Sequence, residues 1–262
     1  MSSVSGVNNT NYSSYSSYGK LASGNALTSA ADGAAELAIA EKEESQVTGY
    51  DVGANNAASA KDMLNVSDGA LGSINDHLQR MRELALQATN GLLTDSDKAN
   101  IQVEVDQLKQ GIADIANNTS FNTQKLLDGS KTDWQLATDA NGSETTVNTV
   151  NATLSELGIE DFDVTKDFDL KTLDDALQKV SDSRAKIGAQ TNGLEYTINY
   201  NKIASENTTA AASRLEDLDM GKAVSDMKKN ELLDTYKLMM QKKKQEDEAN
   251  SKKQLLDSMQ IK

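Results

Sequence analysis

The chain of 262 residues contains no cysteine and no proline. Without cysteine there is no disulfide, no thiol nucleophile and no Cys-ligated metal, although the compartment stays open. Proline breaks helices by removing a backbone donor and clashing with the preceding turn, and an average chain of this length carries roughly a dozen. Its absence permits very long uninterrupted helices. Only 4% of residues are aromatic and 37% hydrophobic, so any core is thin. No apolar run approaches a membrane span, so no membrane partner is expected. The net charge of −14 argues against a nucleic-acid partner, because binding phosphates needs clustered Lys and Arg. His77, the only histidine, has no cysteine or second histidine to complete a site. No glycine-rich phosphate loop, zinc pattern or nucleophile elbow is present. The expectation is a protein that is not an enzyme, with no catalytic, cofactor-binding or metal-binding residues.

What is present is helical periodicity. From Asp32 to Gly91 no strong breaker interrupts the pattern, and Leu64, Leu71, Ile74, Leu78, Met81 and Ala85 recur at spacings of three, four or seven. This predicts one helix of about 55 residues, roughly 80 Å long. Gly49 and Gly53 lie inside it, each costing about 1 kcal/mol relative to alanine. Asn90-Gly91 ends it, and Thr94 or Ser96 can cap a second helix. There Ile101, Val105, Leu108, Ile112 and Ile115 form a coiled-coil seam, which makes the pair an antiparallel hairpin. The seam stops at the turn formers NNTSFN.

Residues around 130–170 change character. Trp134, Leu136, Val147 and Val150 flank the turn pair Asn141-Gly142, predicting a β-hairpin. Asp139, Asn141 and Glu144 lack the further ligands of a calcium loop. A third helix opens at about Leu170 with Leu173, Leu177, Val180, Ile187, Leu194 and Ile198, and Arg184 and Thr191 fill vacant seam positions. It is expected to run on through TAAASRLEDLDMGKAVSDM. The tail holds apolar pairs at Leu232-Leu233, Met239-Met240 and Leu255-Leu256 around a charged block, predicting a helix that needs a partner. The fold class is therefore mainly α: an elongated antiparallel helical bundle or coiled coil with one small β-hairpin region. Its expected segments are 1–32 (polar N-terminal), 33–130 (long helix plus helical hairpin), 131–170 (β-hairpin and connection), 171–222 (C-terminal core helix) and 223–262 (helical tail).

Several stretches then show a resemblance. SGNALTSAADGAAELAIAEK (Ser23–Lys42), DGALGSINDHLQRMRELALQATNG (Asp68–Gly91), NNTSFNTQKLLDG (Asn117–Gly129), AKIGAQTNGLEYTINYN (Ala185–Asn201) and ENTTAAASRLEDLDMGK (Glu206–Lys222) resemble, in the same order, motifs of the bacterial flagellins. The resemblance implies a structural subunit that self-assembles into the flagellar filament, exported uncleaved through the flagellar apparatus with an export chaperone as a further partner, and extracellular. The Ser/Asn/Tyr-rich start, without an apolar signal core, suits such a route. Two departures stand out: about twenty residues precede Leu21–Gly24 where the family has some thirty, and the C-terminal end is longer and heavily charged. They keep a second reading alongside, a non-filament homologue such as a hook–filament junction protein or a secreted receptor-binding protein.

The stretch LQRMRELALQATNG (Leu78–Gly91) concentrates the surface question. At about 100° per residue, Leu71, Ile74 and Ala85 fall near Leu78, with Arg82 beside them, expected to snorkel or to pair with a carboxylate of a facing helix. Arg80 and Gln87 lie on the far side, and Leu84 about 120° round, so Arg80, Gln87 and an exposed Leu84 are expected to form an outer ridge. The resemblance implies that this helix surface makes filament contacts and is read by an innate-immune receptor, toll-like receptor five. On that ground Gln79, Arg80, Leu84 and Glu104 are candidate interaction residues, and Gln87 joins them from its place on the ridge.

Overall fold

The computed structural model describes residues 18–259, and the side chains of residues 18–256. The polar export-type segment expected at the start falls largely outside the described residues. The elements in chain order are α1 (Ala34–Ala88), α2 (Asp95–Asn118), β1 (Ser120–Phe121), β2 (Gln124–Lys125), β3 (Asp133–Ala137), β4 (Glu144–Asn148), the single turn α3 (Leu154–Leu157), α4 (Leu170–Glu216) and α5 (Met220–Met259). The chain forms two compact units, one from residues up to Glu44 together with the segment from Thr209, the other Ser45–Thr208.

In the Ser45–Thr208 unit, the periodic leucines do what their spacing demands. Leu64, Leu71, Ile74, Leu78 and Met81 of α1 are fully buried against Ile112 and Val105 of α2 and against Leu173, Val180 and Ile187 of α4. The direction of the helices is legible from their ion pairs. Lys61, Asp68 and Arg82 of α1 meet Glu195, Arg184 and Asp174 of α4, so numbers rise on one helix as they fall on the other. Arg184 thus occupies its vacant seam position by reaching Asp68, and Thr191 by donating to the Ile187 carbonyl. These pairs are exposed to water and salt, so each adds little to stability. They set register more than stability.

α1 runs 55 residues without a break. A turn held by Asn90, whose side chain accepts from the Leu92 amide at 3.1 Å and whose carbonyl accepts from Leu93 at 3.1 Å, leads into α2. Thr94 caps α2 in a full capping box, its hydroxyl accepting from the Asp97 amide while the Asp97 carboxylate accepts from the Thr94 amide. β1 and β2 make a tight hairpin across Asn122 and Thr123, both with positive φ. His77 stacks its ring against Gly111 of α2, an interhelical role.

β3 and β4 pair in antiparallel register with Trp134 opposite Val147. Gly142 takes φ +77° in the connecting turn, and the Asp139 carboxylate accepts from the amides of Asn141 and Ser143 at 2.8 Å each. That carboxylate shapes the turn. The hairpin is strapped down by amide side chains that read its backbone: Asn56 and Asn201 donate to the carbonyls of Ala137 and Thr138, and Gln190 pairs with both the amide and carbonyl of Asn148. Val150, expected in the hairpin, lies beyond β4 and packs on the core from the loop.

The connection to α4 is organised by carboxylates. Asp163 accepts from the Thr165 amide and hydroxyl and pairs with Lys166 at 2.9 Å, which lowers its pKa to about 2. A depressed carboxylate stabilises the fold above its unfolded value near 4, and the gain is lost as pH falls towards about 2. A carboxyl-carbon NMR titration is expected to show Asp163 ionising at about 2; a midpoint near 4 would contradict the geometry.

In the other unit, the segment after residues 18–23 pairs with the one after α4. Asn25 bridges Asp217 antiparallel, the Leu218 amide donates to Gly24, and the Asn25 side chain donates to Glu216 at 2.8 Å. This pairing explains a difference from the periodicity, which predicts one helix through residues 216–220. The backbone of residues 217–219 leaves the helix to bond across to residues 24–26, and α5 restarts at Met220. Asp32 pairs with Lys20 and accepts from Thr28 and Ser29, which holds its carboxyl well below the usual range. α5 leaves Leu232, Tyr236 and Met239 exposed, the fragmentary apolar character the sequence implies. No helix among the described residues is long and apolar enough to cross a membrane.

Candidate interaction surface

The outer face of α1 between Leu78 and Ala88 is built by what its other face buries. Leu78, Met81, Leu84, Ala85 and Ala88 are all buried, and at about 100° per residue they cover an arc of about 120°. A stripe of that width belongs to a helix packing against two neighbours. The exposure expected for Leu84 is therefore overturned: it is 3% accessible. The physical reason is that α2 packs on the flank of α1 that a single seam to α4 would leave free, and Leu84 lies under that contact. The side chain at the centre of the outer face is instead Leu86, at 55% exposure, flanked by Gln79 and Glu83. Reading the stripe as broad would have placed it there. Val103 of α2, 58% exposed, was likewise not singled out by periodicity, which names only what is buried.

The structure brings Arg80 and Glu104 together. The Arg80 guanidinium donates from Nε to Glu104 Oε1 at 2.8 Å and from Nη1 to Glu83 Oε2 at 3.0 Å, bridging α1 and α2. These bonds raise the Arg80 pKa further, Glu104 contributing first and Glu83 second, so the group is a fixed cation. A side chain already held in place loses less entropy when a partner docks. Arg82 pairs with Asp174 of α4 at 2.6 Å, as its place beside the seam demands. Gln79 and Gln87 are exposed along the same face. The surface thus combines one held cation, two amides and an apolar centre, composition suited to protein recognition. No group of three or more metal-ligating side chains is present among the described residues.

The chain as a whole is similar to known proteins. The profile of the bacterial flagellin N-terminal helical region matches residues 1–132, and that of the C-terminal helical region matches residues 170–248. A flagellin of Halalkalibacterium halodurans is 37% identical over 221 residues, covering 82% of this chain and 81% of that protein. A flagellin of Bacillus subtilis is 38% identical over 255 residues, covering 82% and 83%. The crystal structure of Bacillus cereus flagellin superposes with a TM-score of 0.52 at 33% identity, over 57% of this chain and 89% of that one. With both helical regions of the family matched in order within one mainly α chain, this protein belongs to the bacterial flagellin family.

Proposed function

We infer that this chain is a structural subunit of the bacterial flagellar filament, assembling with copies of itself outside the cell. The observation that carries the reading is the collinear match to both the N- and C-terminal flagellin regions in one chain. Self-assembly follows from what flagellins form, and export through the flagellar apparatus, with an export chaperone as partner, belongs to the same reading. Incubating the full chain with filament seeds under salting-out conditions, beside a control truncated to residues 21–229, is expected to give seed-dependent filaments from the full chain alone in negative-stain images. Persistent monomers in both would turn the reading towards a non-filament homologue such as a hook–filament junction protein.

The α1 face is the second part of the proposal. Gln79, Arg80, Gln87 and Glu104 form an assembly surface that toll-like receptor five also reads, while Leu84 supports it from beneath. Arg80→Ala is expected to weaken receptor binding about tenfold or more, the size of a small hot spot, while leaving the denaturation midpoint unchanged. Titration of the receptor ectodomain with both proteins decides it. Absence of binding by the wild type would remove the receptor from the list of partners.

A further inference from the structure

Leu92 is 90% exposed, while its neighbour Leu93 packs on the core. The exposure is imposed by the Asn90 turn on one side and the Thr94 capping box on the other, which fix the backbone and hold Leu92 outward. Elsewhere in the same unit lies an open notch of about 240 Å³ lined by Ala60 and Met63 of α1, Phe121 of β1, and Trp134 and Leu136 of β3. Ser59, Asn122, Gln124 and Gln135 complete its rim, and its only charged lining residue is Lys131, whose ammonium lies 3.9 Å from the centre of the Trp134 ring. Counting from Ala60 to Ala88 along α1, the notch and the Leu92 turn are separated by roughly 40 Å of helix.

We propose that Leu92 of one subunit seats in this notch of a second copy, making a head-to-tail contact. The proposal rests on the filament reading above and names one contact of that assembly. An antiparallel twofold pair would satisfy both knobs but close on itself, whereas the filament reading calls for knob and hole used in one direction. Repeated, they generate an open chain of subunits. The charges agree, since the segment Asn90–Asp97 carries Asp95 and Asp97 with no Lys or Arg, against Lys131 at the notch. The preformed turn lowers the ordering cost of docking, and the aromatic wall of the notch supplies the area an inserted leucine needs.

Because the chain lacks cysteine, introduced thiols are unique. Full-length Leu92→Cys is mixed with full-length Ser59→Cys, a residue at the notch, assembled on wild-type seeds and oxidised. A disulfide forms only between Cα atoms within about 7 Å, so a cross-linked dimer from the mixture reports the contact directly. The expected result is that dimer, absent when Leu92→Cys is mixed with Tyr196→Cys, together with a rise of about tenfold in the critical concentration for Leu92→Ser. Normal filaments without the Leu92–Ser59 cross-link, or Leu92→Ser assembling like wild type, overturn this contact and leave the filament reading intact. Failure of the wild type itself to assemble overturns that reading, and the contact falls with it.

Discussion

Replacing Gly53 with alanine is expected to destabilise the Ser45–Thr208 unit by about 2 kcal/mol, although alanine is the better helix former by about 1 kcal/mol. The reason is the hairpin turn that lies on α1. A Cβ built on Gly53 would stand 2.7 Å from the Thr138 carbonyl oxygen, 2.8 Å from its carbon and 3.0 Å from Asn201 Nδ2. Two of these are backbone atoms that cannot swing away, and Thr138 is itself buried and bonded to Asn201 and Thr145. One turn earlier, Gly49 makes the same allowance for Ala140, 2.8 Å from its would-be Cβ. The added methyl must therefore lift the hairpin or push Asn201 aside, and Asn201, 1% exposed, already holds a carbonyl oxygen with no bonding partner. Gly188→Ala on α4, where nothing lies within 4 Å, is the control and is expected to stabilise by about 0.5–1 kcal/mol. Urea denaturation of both, with hydrogen exchange at the Thr138 and Val147 amides, separates the effects. A Gly53→Ala protein as stable as wild type would mean the hairpin does not press on α1.

Leu84→Ala carries the other large effect, a loss of about 3 kcal/mol, because it removes a side chain of 3% exposure from between α1 and α2. Leu86→Ala, on the exposed centre of the same face, is expected to change stability by less than about 0.5 kcal/mol. The contrast matters for any binding assay on this face. A weakened receptor or filament contact in Leu84→Ala would track unfolding, and the denaturation midpoint measured beside the binding curve shows it. If Leu84→Ala keeps the wild-type midpoint, the packing of α2 over that flank is wrong.

The periodic elements were legible because burial on a helix repeats every 3.6 residues and leaves its mark in the residue types. α1 at full length, the α2 seam, the start of α4 at Leu170, the Asn141-Gly142 turn and the pairing of Arg82 with a facing carboxylate all follow from such local signals. Arg80 follows from the same helical geometry and Glu104 from the family resemblance, while their bond to each other requires the α1–α2 register.

What the sequence by itself determined is a mainly α chain of flagellin type, without cysteine or proline, whose helices hold their core residues at seam spacing. Tertiary structure alone decided which flank of α1 each neighbour covers, and so buried Leu84 and exposed Leu86. It alone gave Gly49 and Gly53 their purpose, since a helical glycine reads as a cost until a second backbone is seen against it. It alone broke the predicted helix at residues 217–219, where the backbone bonds to residues 24–26. Each of these depends on a contact between residues far apart in the chain, and a local pattern carries no record of its distant partner.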